Sequence, residues 1–218
     1  MTALQGRILR LLITFPAYLA VMILLHEAGH AVTAARSTDA KIQIHVWPGY
    51  ELYPAFGNRF REKWPQGSPA VTTLSPASPT LLARDAYGSY AVTFAEDEMR
   101  QMQPYLPLIA LMGTAATTLS AFIALSLISL FKPKGLMLWC LAAGSLLHLD
   151  MLTYAVLPTF LGVRHLYFIG GETAEPVEAL SGFGLPESLS IAAIILLSVM
   201  QCLWLYYLLT FKLRRPVP

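Results

Sequence analysis

Apolar residues run almost without interruption through four stretches of the chain, at about 9–35, 105–131, 136–161 and 189–211. Each approaches or exceeds the roughly 20 residues that a helix needs to cross the hydrocarbon core of a bilayer. Polar or helix-stopping residues close them: Arg36-Ser37-Thr38-Asp39 after the first, Lys132-Pro133-Lys134-Gly135 between the second and third, and KLRRPVP after the fourth. The pattern predicts four transmembrane helices, with Pro16 placed to kink the first and Pro158 near the end of the third. Residues 36–104 are different. KIQIHVW alternates polar and apolar positions with the two-residue period of a half-exposed strand. PGYELYPAFG then predicts a hairpin or short sheet, and the 64–80 stretch, WPQGSPAVTTLSPASPT, an irregular excursion. DEMRQMQPY predicts a short interfacial helix leading into the second span, and residues 162–187 a second long loop. No internal repeat is evident. The expected fold is an α-helical polytopic membrane protein, a single domain over residues 1–218 with a short strand or hairpin element after the first helix.

Composition supports that reading. Hydrophobic residues make up 56% of the 218 and charged residues only 13%, where a soluble domain carries about 25% charge. A net charge of +2, with no arginine-lysine stripe and no aromatic RNA-binding pattern, argues against nucleic acid as a partner and leaves the lipid bilayer. Cys140 and Cys202 both lie in apolar blocks, which argues against a disulfide framework. The first apolar run is longer than the 7–15 residues of a signal-peptide core, and cleavage near AVTAA would discard the polar residues discussed next. It therefore reads as a retained helix. Basic residues near the span ends slightly favour cytoplasmic termini.

Inside the first span stands HEAGH, residues 26–30. Ionisable residues within a membrane helix are costly and normally mark a functional site; three in five positions call for one shared explanation. His26 and His30 are four residues apart, hence on one helix face, and both imidazoles can reach a single ion. Glu27 follows His26 and is placed to act as general base on a water that zinc has made acidic. Ala28 and Gly29 keep the helix slim enough for another segment to approach. Catalytic zinc usually takes three protein ligands, so a third must come from elsewhere. In GSLLHLDMLTYAVLP, Asp150 lies near the middle of the third span and is the preferred candidate, with His148 as its rival. Spans one and three run in the same direction, so these depths can meet if one helix shifts by about a turn. Gly113, Ala116, Thr117 and Ser120 form a small-residue stripe in the second span, suited first to close packing. His45 and His165 are weaker metal candidates. Gly170-Gly171 lacks the lysine and hydroxyl residue of a phosphate loop and reads as a turn.

With HEAGH in the first span and an intramembrane aspartate in the third, the chain resembles the site-2 protease family of intramembrane zinc metallopeptidases. The resemblance covers the three-helix core from about Leu9 to Leu161. It is complete at His26, Glu27 and His30, and weaker at MGTAATTLS, which lacks the family's asparagine, and at HLDML, which lacks its Asp-Gly pair. It implies one zinc ion held by His26, His30 and Asp150, with Glu27 as catalytic residue. It implies hydrolysis of peptide bonds in or near the membrane, in a membrane protein or membrane-proximal peptide. The strand-like KIQIHVWPGYELYP would help bind an unwound substrate by strand addition. The family's usual orientation would put both termini outside, against the charge preference, and orientation stays open. The alternative is a catalytically inactive metal-binding or partner-binding scaffold of the same fold.

Overall fold

The computed structural model describes the backbone of residues 3–60, 64, 69–75, 81–84, 90–93, 96–161 and 174–212, and the side chains of most of these from residue 14 onward. The protein is mostly helical, and four helices are long and apolar enough to cross a membrane. The chain begins with α1 (Ala3–Ser37), which contains Pro16. Next come β1 (Lys41–Val46), β2 (Tyr50–Tyr53) and β3 (Ala70–Ser75), then the separate pair β4 (Leu81–Arg84) and β5 (Tyr90–Thr93). The short α2 (Glu96–Met102) leads through a single 3₁₀ turn into α3 (Leu106–Phe131), followed by α4 (Gly135–Gly144), α5 (Leu149–Leu161), α6 (Glu175–Gly182) and α7 (Glu187–Tyr207).

Local sequence accounts for most of these boundaries. Helix α3 ends where Lys132 takes a left-handed conformation (φ 47°) and returns its N–H to the Ile128 carbonyl, just ahead of Pro133. The third apolar stretch keeps the length of a span, Gly135–Phe160, but is broken inside it. Residues 145–148 form turns between α4 and α5, so Asp150, near the middle of the span as expected, sits in the first turn of the helix that resumes there. The segment expected to be an irregular excursion contains β3, paired antiparallel with β1 from Lys41↔Ser75 to Val46↔Ala70. Short β-branched runs such as AVTTLS gain their pairing from a partner distant in sequence, which local turn signals do not reveal. The predicted hairpin is present as β1–β2 and the predicted short helix as α2. Helix α6 was not anticipated within the second long loop.

The helical layer buries polar side chains among apolar ones and exposes large apolar side chains on its surface. Asp150, His148, Thr117, Ser190 and Gln201 are all nearly inaccessible, whereas Leu130, Phe131, Leu136, Trp139, Leu196 and Leu203 stand exposed on helix surfaces. Apolar clusters knit the helices between these polar positions: Met22, Ala121 and Leu147 join α1, α3 and the α4–α5 turn, and Ala155, Val177, Ile191 and Ile194 join α5, α6 and α7. The tightest approach is between α1 and α3. A Cβ built on Gly29 would strike the Met112 carbonyl and Ala116, so the two backbones touch at a residue where only glycine fits.

The three-stranded sheet, in order β2-β1-β3, packs on the C-terminal part of α1. His45 on β1 faces Glu51 on β2 and stacks edge-on against Phe60. The Ala55 backbone N–H holds the Glu51 carboxyl below the usual carboxylate range, with Asn58 and Gln43 adding side-chain bonds. Burial pushes the His45 imidazole down, against the opposing charge of Glu51.

Two outcomes follow for stability. Gly29→Ala forces the α1–α3 contact apart and should cost about 1–3 kcal/mol, the usual penalty of overpacking. A Val32→Ala control, at a position 52% exposed, should unfold like the parent in a thermal scan; equal behaviour of both variants would contradict the close contact. Lowered folded-state pKa values at Glu51 and His45 both mean that the unfolded chain binds more protons, so stability falls as pH falls. The His45 contribution is full above about pH 6.5 and the Glu51 contribution above about pH 4.3. Each is lost on acidification through its lowered folded-state pKa. Amide exchange in β1 and β2, corrected for intrinsic rates, should therefore show less protection at pH 4 than at pH 7, and a flat profile would refute it.

Candidate metal centre

Helix geometry brings His26 and His30 onto one face of α1, and α3 decides which nitrogen each ring offers. His30 Nδ1 lies 2.7 Å from the Ile109 carbonyl oxygen. A carbonyl only accepts, so Nδ1 carries the proton and a neutral ring presents a bare lone pair at Nε2. His26 Nδ1 lies 2.8 Å from Asp150 Oδ2, an acceptor as well, with the same consequence. The two Nε2 atoms then face each other at 3.0 Å. Two lone pairs at that distance repel unless a cation sits between or beside them.

A third electron-pair donor joins them. Glu175, at the start of α6, places Oε2 3.5 Å from His26 Nε2 and 3.7 Å from His30 Nε2. That oxygen is buried and makes no hydrogen bond, an unfavourable state for a carboxylate lacking a compensating charge. His26, His30 and Glu175 thus offer three ligand atoms within 4.8 Å of one another. Gly113 of α3 lies directly against both rings: a Cβ there would collide with both Nε2 atoms. Convergent lone pairs, an orphaned carboxylate oxygen and a facing helix surface free of a side chain at Gly113 together suit a small divalent cation. Two imidazoles and a carboxylate are also a donor set that zinc accepts.

The surroundings fix these side chains. Asp150 is 2% exposed, and its Oδ2 lies 2.9 Å from the Thr117 hydroxyl, for which the Thr114 carbonyl at 2.8 Å is the competing acceptor. Tyr154 stacks on the His26 ring at 4.7 Å between centroids. Glu27 is 8% exposed, and its Oε2 accepts a hydrogen bond from the Thr72 hydroxyl on β3. The sheet therefore reaches into the site and holds the glutamate.

Of the residues expected from sequence, His26, His30 and Asp150 are brought together, with Asp150 on the Nδ1 edge of His26 and Glu27 beside them. His148 turns elsewhere: Nδ1 lies 2.8 Å from the Ser145 carbonyl and Nε2 3.5 Å from Cys202 Sγ. His45 belongs to the sheet contact with Glu51, and His165 lies outside the described residues. Both cysteines are free. Thr117, placed in a packing stripe, contacts Asp150 directly. Thr72 and Glu175 were not singled out. Glu175 was one of several acidic residues in a loop with no spacing that marks it, and Thr72 lay in a stretch expected to be irregular. No family model, curated protein or solved structure matches the chain.

If the ion is held by the two Nε2 atoms that face Gly113, Gly113→Ala should push the rings apart and weaken zinc binding without removing any donor atom. An overpacking cost of about 1–3 kcal/mol corresponds to a roughly 5- to 150-fold loss of affinity. Competition against a chelator of known strength measures this, and unchanged affinity would place the ion elsewhere.

Proposed function

We propose that this chain is a multi-pass membrane zinc peptidase that hydrolyses peptide bonds in or next to the bilayer. The observation that carries the reading is the facing pair of His26 and His30 Nε2 atoms, 3.0 Å apart with both Nδ1 protons committed to acceptors. Buried polar residues ringed by exposed apolar ones support residence in lipid, where no water can satisfy the helix surfaces. When bound, zinc supplies a Lewis acid that polarises a carbonyl and makes water a usable nucleophile near neutral pH.

The chain's own residues do the rest. His26 and His30 would hold the ion through Nε2. Glu27 is the general base: it takes a proton from the attacking water and later delivers one to the leaving amine. Thr72 fixes Glu27 Oε2, so the carboxylate enters the reaction in one orientation and Oε1 is the oxygen left to move the proton. The substrate must be extended, because a helix hides its amides in its own hydrogen bonds. Strand β1 is central and both its edges are paired, so a peptide joining this sheet adds at β3 or β2. Addition along β3 carries the peptide past Thr72 and therefore past Glu27.

Glu27→Gln keeps the size of the side chain and removes the base. Zinc content should stay at one ion per chain, while cleavage of a membrane-embedded test peptide falls about 10²–10⁴-fold. Equal cleavage by parent and variant would refute the mechanism. Zinc binding with no cleavage by either, across varied membrane peptides, would favour the metal-binding scaffold.

A further inference from the structure

We infer that Glu175 is the third metal ligand and that Asp150 acts behind the metal, as the carboxylate that fixes the His26 ring; this rests on the zinc reading above. Each carboxylate approaches a different edge of the same imidazole. Asp150 Oδ2 is on the Nδ1 edge at 2.8 Å, whereas Glu175 Oε2 is on the Nε2 side, 3.5 Å from His26 and 3.7 Å from His30.

The separations of the three inner atoms fit zinc closely. Taking 3.0, 3.5 and 3.7 Å as the sides of a triangle, the point equidistant from its corners is about 2.0 Å from each, inside the usual range of zinc–nitrogen and zinc–oxygen bonds, about 2.0–2.2 Å. Asp150 has no such option in this arrangement. An ion on His26 Nε2 would stand roughly 6–7 Å from an oxygen bonded to Nδ1, about three times a zinc–oxygen bond. A carboxylate on the second nitrogen of a metal-binding histidine orients the ring and raises its basicity. Asp150 is well built for that task, being inaccessible and itself contacted by Thr117.

The hydrogen-bond state of the two carboxylates agrees. Asp150 Oδ2 already has two partners, whereas Glu175 Oε2 is buried with none. The unpartnered oxygen is the one aimed at the two Nε2 lone pairs. This ligand comes from α6, so metal binding ties the connection between α5 and α7 to the HEAGH face of α1.

The test compares zinc affinity in the purified full chain carrying Glu175→Gln, Asp150→Asn or, as a control at an exposed position of α6, Glu178→Gln. Loss of an outer carboxylate typically costs about 10–100-fold in metal affinity. Asp150→Asn should fall in that range and also shift the ¹⁵N resonances of the His26 ring. Glu175→Gln should lose more than about 100-fold, beyond that range, and leave the Nδ1–H signal of His26 in place. Glu178→Gln should match the parent. Glu175→His, which supplies a nitrogen donor, should recover affinity relative to Glu175→Gln. A larger loss for Asp150→Asn than for Glu175→Gln, or unchanged binding in Glu175→Gln, overturns this assignment and leaves the zinc peptidase reading intact. Zinc binding that survives His26→Ala and His30→Ala together overturns both.

Discussion

Helices α1 and α3 meet backbone to backbone at Gly29, and the chemistry of the site descends from that approach. With Gly29 against the Met112 carbonyl, the next residue of α3, Gly113, lies beneath the two imidazoles. One turn earlier the Ile109 carbonyl meets His30 Nδ1, and one turn later Thr117 meets Asp150. A side chain at either glycine would move α3 outward or fill the space between the rings. The small-residue stripe of α3 therefore serves two purposes at once. It permits close packing, and it lets main-chain and hydroxyl groups reach histidines that would otherwise face apolar side chains.

The consequence is control of protonation by geometry. Each histidine gives its Nδ1 proton to a fixed acceptor, one a main-chain carbonyl and one a carboxylate. Both Nε2 lone pairs are then directed at the same point, where Glu175 adds a third. In water such a cluster would disperse, since each group would be solvated separately. Packed among apolar helices it cannot disperse, and a bound cation would relieve its mutual repulsion. The break between α4 and α5 contributes as well. It ends one helix below the site and starts another whose first turn presents Asp150 to His26.

The sheet supplies the remaining connection. Strand β3 touches α1 through the Thr72–Glu27 hydrogen bond, so the strand proposed to guide an extended peptide also restrains the proposed base. His45 and Glu51, both buried, are cross-strand neighbours where β1 meets β2, next to a shift of register between Ile44 and His45. Sheet and Glu27 are coupled by one short bond rather than by a long chain of contacts.

Sequence alone determined the features that depend on local chemistry. Apolar run lengths marked the four long helices, the alternation in KIQIHVW marked β1, and the four-residue spacing in HEAGH placed both imidazoles on one face with Glu27 alongside. The cost of charge in lipid singled out Asp150, though not which edge of which ring it would reach. Tertiary structure alone decided that Asp150 sits on Nδ1 of His26, that Thr117 and Thr72 serve the site, and that Glu175 points into it. Pattern could not reveal these, because each is a contact between segments 33 to 149 residues apart. Their meeting is set by how closely two helices can approach and where a third begins. Periodicity records which face a residue occupies; it carries no record of what packing brings against that face.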